Sequence, residues 1–380
     1  MLARAPRARQ SRRDDSRAQL LIRAYQVHIP DSALADLRER LARTRFPDEP
    51  PLEPWSSGTS LEYLRELVAH WRDGFDWRVH EARINRFRQF TIPVHGIDLH
   101  FIHEPGRGNN SMPLLLSHGW PGSIVEFLQI LPLLAERFTV VAPSLPGYTL
   151  SFKPGQPRFG VEEIAECFVE LMTRLGYERF ALQGGDWGAF IGSRIAALYP
   201  QRVIGLHLNL LAVRRDPKIP PSTPEETEYL RQLEHWLKEE TGYQAIQGTK
   251  PQTLAYGLTD SPAGLAAWIA EKFRTWSDGG IRRDDMLANI SLYWFTGAIG
   301  SSFWPYHARW HRPWPVDKVP VPVGYARFPK EILRPPRSLA AHMYTDIQRW
   351  TEMKQGGHFA AMEEPHALAA EILEFFAGRS

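Results

Sequence analysis

Gly184-Gly185-Asp186-Trp187-Gly188 stands between an apolar run, Phe180-Ala181-Leu182, and a stretch rich in small residues that reaches Tyr199. This is the setting of a nucleophile elbow, a sharp strand-to-helix turn that pushes its central side chain into a site and is usually written G-x-S-x-G. Here the central residue is an aspartate. A serine that attacked a saturated carbon would leave an inert ether, whereas a carboxylate leaves an alkyl ester that water can cleave in a second step. Asp186 therefore points to carbon–oxygen or carbon–halogen cleavage and away from an esterase. A glycine-rich turn with a capping aspartate would read the same way in isolation, so the partners decide.

Two further segments supply partners. His118-Gly119-Trp120-Pro121-Gly122-Ser123 follows the apolar run Leu114-Leu115-Leu116. In such a fold this loop contributes one backbone N–H of an oxyanion hole, assigned to Trp120, and the residue after the nucleophile, Trp187, contributes the other. Gly356-Gly357-His358-Phe359 comes late in the chain, ahead of a final helical stretch. The chain order nucleophile, acid, histidine makes His358 the general base. The acid should then follow a strand at 321–325. Glu331, in Phe328-Pro329-Lys330-Glu331-Ile332, is the best-placed carboxylate, with Asp346 and Asp317 as rivals.

The elements that must position these residues are legible in the periodicity. Apolar runs at 114–116, 138–142, 180–182, 203–208 and 321–325 alternate with segments of helical period, notably Val161, Ile164, Ala165, Phe168, Leu171, Met172 and Leu175. Alternation of this kind predicts an α/β fold, a mostly parallel sheet flanked by helices. Ile124 to Leu134 also repeats at helical period. Ahead of the core, Asp31 is placed to cap one helix and Thr59-Ser60-Leu61-Glu62 has capping-box spacing for a second. An alternating stretch from Phe90 to His103 predicts a hairpin turning near His95-Gly96. Residues 211–308 carry helical, aromatic-rich sequence with no convincing strand and read as an inserted cap. The expected division is thus a tail at 1–20, a leader domain at 21–100, core at 101–210, cap at 211–308 and core again at 309–380.

Composition narrows the function. The 380 residues carry 45 Lys+Arg against 43 Asp+Glu, a net charge of +2, which argues against a dedicated nucleic-acid binder. With 43% hydrophobic residues the chain is globular and not disordered. The single cysteine, Cys167, excludes an internal disulfide and a thiolate metal cluster, and fits a reducing compartment such as the cytoplasm. No apolar run reaches the length of a membrane span. The first 20 residues hold six arginines, including the pair Arg12-Arg13, but the apolar stretch an export signal needs is lacking, so the tail reads as disordered and untargeted. Nothing specifies an oligomeric state, and a homodimer is left open.

Taken together, these segments resemble the microsomal-type epoxide hydrolases of the α/β-hydrolase fold, which include juvenile-hormone and fungal enzymes. The resemblance runs from about Tyr25 to Phe376 and is carried by 63–85, 118–123, 184–188, 328–333 and 356–359. It implies Asp186 as nucleophile, His358 as water-activating base and Glu331 as the acid supporting it. It further implies two cap tyrosines that hold the epoxide oxygen. Tyr243, in Thr241-Gly242-Tyr243-Gln244, matches the first; Tyr306 matches the second, with Tyr293 as fallback. The cap aromatics, Phe295 among them, together with Trp120 and Trp187 imply a hydrophobic epoxide as substrate, with water as co-substrate and no metal or organic cofactor. The family's vertebrate membrane attachment does not carry over. Two rivals remain: a haloalkane or haloacetate dehalogenase, using the tryptophans for halide, and a catalytically silent binding member.

Overall fold

The computed structural model describes residues 22–108, 111–213, 220–313 and 318–379; the arginine-rich tail and Asp317 lie outside the described residues. Nine strands form one sheet: β1 (Arg23–Tyr25), β2 (Gln89–Val94), β3 (Ile97–Glu104), β4 (Met112–Ser117), β5 (Phe138–Pro143), β6 (Phe180–Gly184), β7 (Val203–Leu208), β8 (Val323–Arg327) and β9 (Ile347–Glu352). Their spatial order is β1-β2-β3-β5-β4-β6-β7-β8-β9. The pairs from β1 to β5 along that order are antiparallel and the rest are parallel. Strands β5, β6 and β7 are buried along their whole length, as strands must be when helices cover both faces of a parallel sheet.

Register sets the site. Ser117 pairs with Gly184, Gly184 with Leu208, and Leu208 with Tyr325. The carboxyl ends of β4, β6, β7 and β8 therefore finish in one row, and the loops after them open side by side. The chain leaves β4 toward β5 on one side and returns to β6 on the other, so the row contains a topological switch point, where α/β sheets bind ligands.

Helices complete the layers. Val161–Arg174 and Asp186–Leu198 pack on each other beside the sheet, and Pro365–Phe375 packs on β8. The cap comprises Pro224–Glu239, Gly242–Thr249, Pro251–Asp260, Pro262–Thr275, Arg283–Thr296, Ile299–Ser302 and Trp304–His311. The helix Leu61–Asp73 buries Leu64, Leu67, Val68 and Trp71, the stripe its period predicts. Leader helices grip the cap through polar bonds. Trp71 Nε1 donates to Ser291 Oγ at 3.0 Å, His70 Nε2 lies 2.7 Å from Asp284, and Arg83 pairs with the buried Asp285.

Several local expectations are corrected. Asp31 is the first residue of the helix Asp31–Ala42, and its cap position is Pro30. Ser60 occupies the next cap without a side-chain bond, while the Thr59 hydroxyl donates instead to the cap carbonyl of Ala267 at 2.7 Å. The stretch 124–134 is not one helix. It breaks into a 3-10 turn, Ile124–Phe127, and a short helix, Leu131–Leu134, with Pro132 in its first turn, where a missing N–H is tolerated. Strand β1 and the helix Trp77–Ile84 were not foreseen; the second is capped by Asp76, which accepts from Arg78 N–H.

Among the described residues no helix is long and apolar enough to cross a membrane.

Candidate active site

Asp186 heads the helix Asp186–Leu198 with φ at +45°, the left-handed region that a non-glycine residue adopts only under surrounding constraint. The constraint is local packing. A Cβ on Gly188 would lie 2.0 Å from the Ser117 carbonyl, and one on Gly119 would lie 2.1 Å from Asp186 Oδ1. Glycine at these positions lets the helix seat against β4 and lets the loop after β4 close on the carboxylate. Asp186 Oδ1 then accepts the Trp120 backbone N–H at 2.8 Å.

His118 holds that loop from behind. Its Nδ1 faces the Gly119 carbonyl at 3.0 Å, and its Nε2 accepts the Leu145 N–H at 3.1 Å. Burial depresses this imidazole to about 4, so it is neutral at working pH and structural in its bonding.

On the other side of the nucleophile, His358 Nε2 lies 3.3 Å from Asp186 Oδ2, at ion-pair distance without the alignment of a hydrogen bond. His358 Nδ1 is 2.6 Å from Glu331 Oε1, which also accepts the Ile332 N–H at 2.7 Å. Both side chains are buried. Burial alone would depress the imidazole, but the Glu331 and Asp186 carboxylates outweigh it and hold His358 well above its ordinary value. The rival Asp346 bonds Gln348 at an exposed position, away from this cluster.

The cap closes over the carboxylate with rings. Tyr243 stacks on Trp120, centroids 5.3 Å apart and planes 11° off parallel. Tyr306 stands edge-on to Trp120 and Trp187, at 5.8 and 4.7 Å, and its ring is 5.8 Å from Tyr243. Burial, reinforced by the Asp186 charge, raises both phenols, so they are protonated throughout the working range. Gln244 Nε2 donates to the Tyr243 oxygen at 2.9 Å, which leaves the phenol proton for another acceptor. The fallback Tyr293 is committed elsewhere: its hydroxyl donates to the Gly122 carbonyl at 2.8 Å.

Sequence models corroborate the architecture. One described as "Epoxide hydrolase N terminus" matches residues 22–127, and one described as "alpha/beta hydrolase fold" matches 112–255. Epoxide hydrolase 1 of Sus scrofa is 38% identical over 405 residues, covering 93% of this chain and 88% of its own. The chain belongs to the epoxide hydrolase family. In the same family, the crystal structure of juvenile hormone epoxide hydrolase from the silkworm Bombyx mori superposes with a TM-score of 0.86 at 31% identity, covering 93% of this chain and 94% of that one. Aspergillus niger epoxide hydrolase gives a TM-score of 0.83 at 32% identity, covering 93% and 95%.

One expected member of the site is absent from it. Phe295 packs edge-on against Trp77 at 5.1 Å and lines a cleft with Leu34, Trp71 and Phe75 that holds none of the site residues. Its substrate-binding assignment is withdrawn, because on a helix residues two apart diverge by about 200° and Tyr293 takes the inward face. Three other residues join the site: Trp276, expected only as one of the cap aromatics, and Lys272 and Glu126, which were not singled out. Trp276 accepts the His358 N–H on its carbonyl at 2.9 Å and places its ring 5.0 Å from the imidazole. Lys272, buried and paired with Glu271, holds Nζ 4.6 Å from the Tyr243 ring centroid. Glu126 lines a cavity with Asp186 and His358. Glu126 left a signal of its own in the sequence, the Ser123-x-x-Glu126 capping-box spacing beside the oxyanion loop.

Proposed function

We propose that this chain converts a hydrophobic epoxide to a vicinal diol through a covalent ester on Asp186. The observation that carries the reading is a carboxylate bracketed by the Trp120 N–H at 2.8 Å and the His358 imidazole at 3.3 Å, under two buried phenols. The Asp186 carboxylate attacks one epoxide carbon while Tyr243 and Tyr306 donate to the ring oxygen as it gains charge. Trp120, Trp187 and Trp276 supply the apolar walls, which suits an aryl or alkyl epoxide.

Esterification then changes the histidine. Before it, the Asp186 charge helps to keep His358 protonated. Once Asp186 is an ester that charge is gone, the imidazole becomes easier to deprotonate, and it can take a proton from water with Glu331 fixing its orientation. The oxygen attacks the ester carbonyl, and the oxyanion rests on the backbone N–H groups of Trp120 and Trp187. Donors of this kind are worth about 100- to 1,000-fold each. The buried thiol of Cys167 fits work in the cytoplasm.

A single turnover in water labelled with heavy oxygen tests the covalent route. The first diol released should carry an unlabelled oxygen from Asp186, and label in that first diol excludes the ester. One observation favours a dehalogenase instead: the buried indole N–H of Trp120 has no hydrogen-bond partner and could hold a halide. Diol release from styrene oxide, compared with bromide release from a bromoalkane, separates the two.

A further inference from the structure

The hydrolytic half of this reaction needs a place for the water that His358 deprotonates. Beside the Asp186 carboxylate lies a small cavity, with about 20 Å³ open to the centres of water molecules, whose polar lining includes His358, Gln183, Asn209 and Glu126. Holding one water takes about 10–15 Å³ of such space, so there is room for a single water. Gln183 and Asn209 satisfy each other, Nε2 donating to Oδ1 at 2.9 Å. Glu126 is held differently. Ser123 Oγ accepts the Val125 N–H at 3.2 Å, and the Ser123 N–H acts on the Glu126 carboxyl three residues on. Gly122 gives it room, since a Cβ there would overlap Glu126 Oε1. The contact with Ser123 needs one carboxyl oxygen. The charges of His358 and Asp186, the two groups between which water must react, both act on this carboxyl, and it in turn acts on the Tyr293 phenol.

We propose that Glu126 holds the hydrolytic water against His358 and the Asp186 ester. The inference rests on the reading that such an ester forms. A carboxyl oxygen of Glu126 accepts one O–H of the water, the other O–H points to His358 Nε2, and a lone pair is left facing the ester carbon. His358 takes the proton, the water oxygen bonds to the carboxyl carbon of Asp186, and the bond to the alkyl oxygen breaks. The departing diol oxygen takes the proton back from His358, and Glu126 ends as it began. Burial lifts the Glu126 carboxyl to about 8, with the His358 charge and the Ser123 N–H opposing and the Asp186 charge adding. At neutral pH the group is therefore uncharged and does not repel the oxyanion that forms beside it.

Single-turnover kinetics with styrene oxide, on wild type, Glu126→Ala and Glu126→Gln, test the assignment. Glu126→Ala should form the ester at the wild-type rate and hydrolyse it about 10- to 100-fold more slowly. Its kcat and KM should then fall together, with kcat/KM unchanged. Glu126→Gln keeps an acceptor and should recover most of the hydrolysis rate. Equal slowing of ester formation and hydrolysis in Glu126→Ala, or no slowing of either, overturns the proposal. If the alanine variant does not fold, the pH profile of Glu126→Gln decides. Wild-type ester hydrolysis should decline on the alkaline side while the glutamine variant does not, and superimposed profiles overturn the assignment. No ester in wild type would instead fault the covalent reading itself.

Discussion

The loops at the sheet edge and the helices of the cap meet over Asp186, and they hold their side chains by different forces. Asp186, His358 and Glu331 are fixed by hydrogen bonds to backbone groups: Trp120 N–H, Trp276 carbonyl and Ile332 N–H. Trp120 and Ile332 sit within a few residues of the ends of β4 and β8, so the sheet register transmits directly to the chemistry, while Trp276 ends a cap helix. Tyr243 and Tyr306 are held instead by ring packing on Trp120, Trp187 and each other. Hydrogen bonds have narrow geometry, whereas apolar contact tolerates repacking. The contrast teaches that the core should serve both half-reactions and the cap only the first, with substrate shape as its province.

The largest expected effect lies in the core. Asp186→Ser should lose at least about 10⁴-fold in kcat, because an ether adduct cannot be released. Residual turnover near wild type would break the contrast at its root. Glu331→Gln should slow ester hydrolysis by about 10²- to 10⁴-fold. The Glu331 charge raises the His358 value, so its removal lowers that value, and the acidic limb of the hydrolysis rate should move to lower pH. A limb that stays put, or moves upward, would show that Glu331 does not govern the imidazole. On the cap side, Tyr243→Phe and Tyr306→Phe should each slow ester formation by about 100-fold and spare ester hydrolysis. Tyr293→Phe should spare both, and a loss equal to the other two would restore Tyr293 as the second donor. Smallest is the leader. Trp71→Phe removes the bond to Ser291 and should cost about 1 kcal/mol in urea unfolding with kcat unchanged.

The same division explains what could be read from the residues in order. The elbow was legible because its requirements are local: glycines where helix, strand and loop approach each other, and a strained residue between them. Glu331 was only the best of three candidates, since spacing after β8 does not say which carboxylate turns inward. Contact with His358 Nδ1 at 2.6 Å settles its position. The cap was legible as helical and aromatic but not by face. The helix Arg283–Thr296 buries almost its whole first three turns, so no polar stripe marked which side met the core. Phe295 was misplaced for that reason. Trp276 was legible as one of the cap aromatics, but its bond to His358 was not, because a backbone carbonyl carries no sequence signature.

The most direct test of the account removes the base and looks for the ester. His358→Gln, incubated with styrene oxide and measured as intact protein, should gain the mass of one epoxide, and peptide mapping should place that mass on Asp186. An unmodified protein, or an adduct on any other residue, would contradict the claim that this carboxylate is the nucleophile.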